Sequence, residues 1–491
     1  MSTTNVATEK QPKSFFMIFF LEFWERFGYY GMVALITLYF VQALGYTEAL
    51  SFQTYGIFVA LVYGYGAIGG YIGDKYLGTK RTIVLGALTL FVGYSVMVFS
   101  TPETVFYALG IIAAGNGLFK PNPSSLLSKC YTKNDVRMHS GFTMYYMAIN
   151  LGALISMTAT PFIAKYINWH VAFLVSSIGM LLAVINYLYF KKTVEDAGSE
   201  ADRKPFSISR IGIVIVGTII VSYINGILLV HLTLAQTLVW VVVAILFGIY
   251  FVFASKEKKQ SRNRMIVAFV LILEAIAFFT LYQQMQTSVN FYTINNVTTT
   301  FFGYTIPPLV FQNINSLIII IGSPILAAFY MNRARKGKDL RITTKFAVGM
   351  FLMGLAFLSL YVSPLFADKT GHVSSLWVFI FYIFEGPGEL LISALGVAMV
   401  AELVPGKLVG FVMGLWFLTS AIGGVTGGLV ASLTSPPAGI TGAVNTLPIY
   451  AHVFMEIGVA TLIFTALMFV IKPLLDKYIY KNGVSPAPES V

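Results

Sequence analysis

Glu22, Glu25 and Arg26 stand within five consecutive positions of an apolar run, FFMIFFLEFWERFGYYGMVALITLYFV. A charge at the centre of a bilayer costs about 2.5–3.5 kcal/mol on insertion scales, so each needs a partner or a polar cavity. Glu22, Arg26 and Tyr30 follow an i, i+4, i+8 spacing and share one helix face, with Glu25 and Tyr29 on the adjoining flank. One guanidinium neutralises one acid. The second carboxylate then has no cation of its own, and two carboxylates sharing one cation in a low dielectric are costly to keep ionised together. An acid that gains and loses a proton inside a membrane is what proton coupling requires. A neutralised polar stripe that holds helices together is the other use of the same residues.

Further charges lie in other apolar runs. Lys120 precedes Pro121 and Pro123 in GNGLFKPNPSS. It either snorkels from a helix end or joins Arg26 in a cationic pole suited to an anionic group. FEGPGELLISALG (384–396) sets Glu385 and Glu389 around Gly386-Pro387-Gly388. That pattern predicts an interrupted helix with an acidic pole at membrane depth. A cationic and an acidic pole together suit a zwitterion. Glu274 and Glu456 are two more acids in apolar runs, and Asn150, Gln284 and Asn315 are neutral polar residues there. These amides either tie helices together or touch a ligand. Tyr29, Tyr30, Tyr63 and Trp416 either line a pocket or belong to the packing and the interfacial belts.

The elements that position these residues are read from composition and length. Of 491 residues, 57% are hydrophobic and 11% charged, against about 25% charged in a soluble domain. Fourteen apolar spans are expected, near 15–42, 53–73, 82–100, 103–124, 140–164, 171–190, 211–231, 234–254, 266–292, 308–331, 344–364, 374–403, 408–433 and 448–472. The first is too long for a cleaved signal and is expected to remain as a helix. Lys and Arg fall in alternate loops, so both termini are expected in the cytoplasm. That placement explains the net charge of +11 without a nucleic-acid partner. The charged stretches at 191–210 and 256–264 bound an inserted helix pair. The expected organisation is a leader (1–14), a six-helix bundle (15–190), a linker with the inserted pair (191–264), a second six-helix bundle (265–473) and a tail (474–491). The hairpins at 69–86 and 332–349 echo one another, as repeated halves of a transporter do. One cysteine and five scattered histidines give neither a metal set nor a nucleophile–histidine–acid constellation. No cofactor is expected, and the chain does not read as an enzyme.

Four stretches carry a resemblance. EFWERFGYYG contains an E-x-x-E-R motif in the first helix. GGYIGDKYLGTKRTIVLG (69–86), YYMAINLG (145–152) and GELLISALG (388–396) follow at the expected places. Together they resemble the proton-dependent oligopeptide transporter family of the major facilitator superfamily, and within it the bacterial dipeptide and tripeptide permeases. The resemblance covers nearly the whole chain. It implies an all-α membrane protein with the major facilitator fold, two six-helix bundles plus the inserted hairpin. It also implies proton-coupled import of di- and tripeptides by alternating access, in a bacterial inner membrane. Glu22, Glu25, Arg26 and Lys120 would couple protons. Arg26 and Lys120 would also attract the peptide carboxylate, and Glu389 with Asn315 and Asn150 would hold its amino group. Tyr29, Tyr30, Tyr63, Gln284, Ser393 and Trp416 would complete the pocket. The expected partners are peptides, protons and membrane lipid, and the expected state is a monomer. Two departures stand out. Val33 replaces a second arginine and Gln283 a glutamate found in many members, which puts a gate ion pair between those positions in doubt. The alternatives are a proton-coupled carrier of another amphoteric or anionic solute, such as a peptide-like drug or nitrate, or a drug exporter.

Overall fold

The structure is a computed structural model that describes residues 10–132, 135, 137–336 and 340–480. The expected leader and tail therefore lie partly outside the described residues. Fourteen long helices run in order: α1 (Lys13–Gln42), α2 (Glu48–Gly64), α3 (Thr79–Val98), α4 (Val105–Phe119), α5 (Arg137–Tyr166), α6 (Trp169–Phe190), α7 (Ile208–Val230), α8 (Leu232–Lys256), α9 (Lys259–Tyr282), α10 (Asn313–Arg335), α11 (Ile342–Val362), α12 (Leu376–Leu403), α13 (Val409–Ser432) and α14 (Ala443–Ile479). Among the described residues, twelve spans are long and apolar enough to cross a membrane. α1 and α4 are the long helices outside that set: charges interrupt the apolar run of α1, and α4 has only 15 residues.

Several elements differ in detail from the sequence reading. α2 gives way to a short helix, Gly66–Tyr71, and a wide turn, Ile72–Tyr76. α4 stops at Lys120, and Asn122–Ser128 restarts as a short helix, because Pro121 and Pro123 carry no amide hydrogen for the ladder. α14 extends seven residues past the expected end at 472, to Ile479. The expected interruption at Gly386-Pro387-Gly388 is corrected: α12 runs unbroken with Pro387 inside it. Neighbouring helices and local adjustment let a membrane helix tolerate a proline. Two two-residue strand pairs, Val297–Thr298 with Val373–Ser374 and Thr300–Phe301 with Tyr304–Thr305, tie loops.

The chain forms two compact units. One holds the residues up to Tyr39 together with Leu61–His231; the other holds Phe40–Ala60 together with the residues from Leu232 onward. α7 therefore belongs to the first unit and α8 to the second. Lipid tails are as apolar as leucine, so helices in a membrane associate through close packing and a few polar contacts. In the first unit Gly110 on α4 meets α7 so closely that a Cβ there would lie 2.4 Å from the Ser222 carbonyl oxygen. Asn225 Nδ2 then donates to the Gly110 carbonyl at 3.2 Å, and the Tyr65 hydroxyl donates to Asn225 Oδ1 at 2.6 Å. The linker after α6 packs on the same unit. Asp202 accepts from the backbone amides of Thr79 (2.9 Å) and Lys80 (3.1 Å), while Ser199 Oγ donates to the Gly73 carbonyl at 2.9 Å. A linker carboxylate thus satisfies the otherwise orphaned amides that open α3. In the second unit the most extensive helix contacts are those of α11 with α14 and with α12.

Candidate functional site

In the first unit the i, i+4 spacing on α1 brings Arg26 onto both acids. Its Nε lies 3.2 Å from Glu22 Oε1 and 2.5 Å from Glu25 Oε2. The three residues are 3%, 0% and 3% exposed in the order Glu22, Glu25, Arg26. Among the described residues, Glu22 Oε2, Glu25 Oε1 and Arg26 Nη2 have no hydrogen-bond partner, although a buried polar atom normally has one. With both acids ionised the trio carries one excess negative charge, so it has room for one proton. Arg26 also lies over the Tyr29 ring, 5.3 Å from its centroid, and Tyr29 meets Tyr30 edge-on at 5.4 Å. Tyr30 packs against Ala34, Ala153 and Met157. Lys120, at the break after α4, holds its Nζ 3.4 Å from the Tyr63 ring centroid. Arg26 and Glu25 are among its electrostatic neighbours. The sequence expectation for Glu22, Glu25, Arg26, Lys120, Tyr29 and Tyr63 therefore falls on one connected cluster.

In the second unit Asn315 on α10 joins two acids of α12. Its Nδ2 donates to Glu385 Oε2 at 2.7 Å and to Glu389 Oε2 at 2.9 Å. One amide nitrogen has two hydrogens, so each carboxyl receives one. Glu385 is 1% exposed and its Oε1 is unpartnered; Glu389 is half-buried. The glycines around Pro387 permit close approach rather than a break. A Cβ on Gly388 would come within 3.0 Å of the Gly349 carbonyl oxygen, and one on Gly386 within 2.6 Å of Ile318. Ser393 follows Glu389 by one turn and is half-buried.

Other expected site residues are engaged elsewhere. Asn150 donates to the Tyr146 carbonyl of its own helix at 2.9 Å, whereas Gly152 makes the close crossing with α1, where a Cβ would lie 2.5 Å from the Phe23 carbonyl oxygen. Gln284 is fully buried. It donates to the carbonyls of Gly427 and Thr280, each at 3.0 Å, and accepts from Ser288 Oγ at 2.7 Å, bracing α13. Trp416 is packed edge-on against Phe279 and Phe346 and lies over Gly396 so tightly that a Cβ there would clash. Glu274 is fully buried, with neither oxygen partnered among the described residues. Glu456 corrects the reading of an interior acid: it is 55% exposed and pairs with His452 at 3.2 Å.

Some polar residues of these clusters were not visible as such in the sequence. Tyr145 lies beside Glu22, and Tyr94 beside Glu25 and Arg26. Glu48 accepts from Asn295 Nδ2 (3.4 Å) and the Tyr450 hydroxyl (3.2 Å), a trio spread over 402 positions of sequence. No local spacing brings such residues together. Tyr145 alone had a signal, as the first residue of the YYMAINLG motif.

A sequence model described as the POT family matches residues 80–447. The chain belongs to the POT family. Among similar POT-family proteins is a dipeptide and tripeptide permease B of Photorhabdus luminescens, 47% identical over 96% of this chain and 98% of the relative. Another protein of that name, from Salmonella typhimurium, is 45% identical over 98% of this chain and 99% of its own length. A solved structure described as a bacterial homologue of the human drug peptide transporters PepT1 and PepT2 superposes with a TM-score of 0.83. It is 35% identical and covers 94% of this chain and 98% of that one. A peptide transporter POT in complex with sulfate gives 0.84 at 27% identity, over 95% of this chain and 96% of that one. The chain is thus a multi-pass membrane transporter rather than an enzyme. The two departures from many POT members are buried: Val33 is 2% exposed and Gln283 5%.

Proposed function

We propose that this chain imports di- and tripeptides together with protons, by alternating access, across a bacterial inner membrane with both termini in the cytoplasm. The observation that carries the reading is the buried trio of Glu22, Glu25 and Arg26, which has one acid more than it has cations. The peptide's carboxylate is drawn to Arg26 and Lys120 and competes with the two acids for the guanidinium. An acid released from Arg26 in a low dielectric takes up a proton, which couples peptide binding to protonation. Glu389, held by Asn315, takes the peptide's amino group. Tyr29, Tyr30, Tyr63 and Ser393 border the side chains of the ligand. Carboxylates on both α1 and α12 favour an amphoteric ligand over a simple anion such as nitrate.

A dipeptide is nearly neutral overall, so each symported proton carries about one charge inward. That is worth roughly 2.3 kcal/mol per 100 mV, with about 1.4 kcal/mol more per unit of pH gradient. The test is dipeptide accumulation in proteoliposomes with an imposed proton gradient. Uptake above the external concentration, abolished by a protonophore, is the expected result. Accumulation that ignores the gradient would remove the proposal.

A further inference from the structure

The first unit contains a long apolar groove that has no part in the proposed transport cycle. α7 forms one wall, and α3, α4 and the segment Gly66–Tyr76 form the other. It consists of two spaces of about 440 Å³ and 320 Å³ that share Thr218 as a lining residue. Its serine and threonine hydroxyls are already used within their own helices: Thr89 donates to Leu85, Thr218 to Val214 and Ser222 to Thr218. Between the tyrosines at its margins, the walls therefore offer a ligand mainly hydrocarbon contact. At one end Tyr107 and Tyr223 stack at 5.8 Å and close the groove. A Cβ on Gly217, which lines it, would meet nothing within 4 Å.

The opposite end is basic. On α7, Arg210 precedes the lining residues Ile213, Val214 and Gly217 by three, four and seven positions, so it continues the same stripe. On α3, Arg81 precedes Leu85, Leu88 and Thr89 by four, seven and eight positions and does likewise. Both are early in helices whose lining residues follow, so both stand at the end away from the tyrosine stack. Arg81 is half-buried, with Nη1 and Nη2 on the carbonyls of Leu77 and Lys204 and Phe206 alongside. Arg210 is exposed, and so are Lys204 and Phe206. Asp202, the nearby linker acid, is occupied by the amides of Thr79 and Lys80. From Arg210 to Tyr223 the α7 stripe spans roughly 20 Å, somewhat more than the ~15 Å of hydrocarbon in one leaflet.

The geometry points to a site for one anionic glycerophospholipid. One acyl chain lies along α7 as far as the Tyr107–Tyr223 stack, and the phosphate sits between Arg81 and Arg210. Phe206 borders the glycerol region, where aromatic side chains favour the membrane interface. Basic residues at this level attract anionic headgroups, and the long, largely apolar walls hold the tail.

Native mass spectrometry of the full chain tests this with phosphatidylglycerol and a phosphatidylcholine of matched chains. Phosphatidylglycerol should be retained preferentially. Arg210→Gln should weaken that retention roughly fivefold, the effect of one basic residue near an anionic surface. Gly217→Phe should remove the bound lipid whatever its headgroup, and its lipid-free melting temperature should match the native chain. Equal retention of the two lipids, or Arg210→Gln without effect, would overturn the headgroup assignment. Retention unchanged in Gly217→Phe would overturn the groove assignment. So would a self-associated state that persists after delipidation and excludes the lipid.

Discussion

The Arg26 cluster and the Asn315 cluster both hold two glutamates, yet they differ in what stands between them. On α1 a guanidinium lies between the acids and carries a permanent charge. Between Glu385 and Glu389 stands an amide, which donates two hydrogen bonds but brings no charge. The first cluster is almost self-neutralised and lacks one proton. Among the described residues, the second has no cation paired with either acid. A buried acid without a cation is relieved by a proton or by the ammonium of an arriving ligand. On the proposed function, this contrast places the coupling step on α1 and recognition of the amino group on α12.

The most severe way to break this contrast is to remove the fixed charge. Arg26→Ala leaves two buried acids with no counter-charge, a loss of about 3–5 kcal/mol for a buried ionic partner. Uptake should disappear and the melting temperature fall. Normal uptake by a well-folded Arg26→Ala protein would show that the guanidinium is dispensable. Next comes Glu22→Gln, which keeps shape and removes the titrating group. Accumulation against a gradient should be lost while downhill counterflow persists. An unchanged response to the proton gradient would place coupling elsewhere.

Asn315→Leu sharpens the other side. Removing the donor shared by one buried and one half-buried carboxyl costs about 1–3 kcal/mol, so KM for a dipeptide should rise by roughly one order of magnitude. A blocked peptide without its amino group should be far less sensitive to the change. If both ligands weaken equally, the cluster is a packing device. Gln284→Leu provides the control, because its amide braces α13. Stability should drop by about 1–3 kcal/mol while KM holds. The smallest effect belongs to Glu456→Gln, an exposed pair, where the melting temperature should move by less than the equivalent of about 0.5 kcal/mol.

Legibility in the sequence followed the range of the interactions. The α1 cluster was readable because Glu22, Glu25, Arg26 and Tyr29 are neighbours on a single helix, and helical period alone fixes which of them meet. The end of α4 was overrun: the expected span reached 124 because apolar and small residues continue past Lys120, although Pro121 and Pro123 mark the stop locally. α12 was misread because Gly-Pro-Gly has two local meanings, interruption and close approach. Contacts with Ile318 and the Gly349 carbonyl decide between them. Gln284 shows the same limit, since its deciding partner, Gly427, is 143 positions away. Trp416 was open between pocket wall and packing, and no local pattern pairs its indole with Gly396, against which it lies. Length and apolar pattern gave the number of long helices, but the inserted pair had no pattern that would divide it between the two compact units.

The cap that Asp202 and Ser199 place on the start of α3 bears on how this protein can be taken apart. A stretch that reads as a charged tether serves as a terminal fitting for a helix more than a hundred residues earlier. Anyone expressing the transporter as two complementary fragments should leave that fitting on the first piece. A break between α7 and α8, at His231, respects the fitting, and the halves should reassemble. A break ahead of Ser199 hands it to the wrong fragment, and the opening turn of α3 should fray.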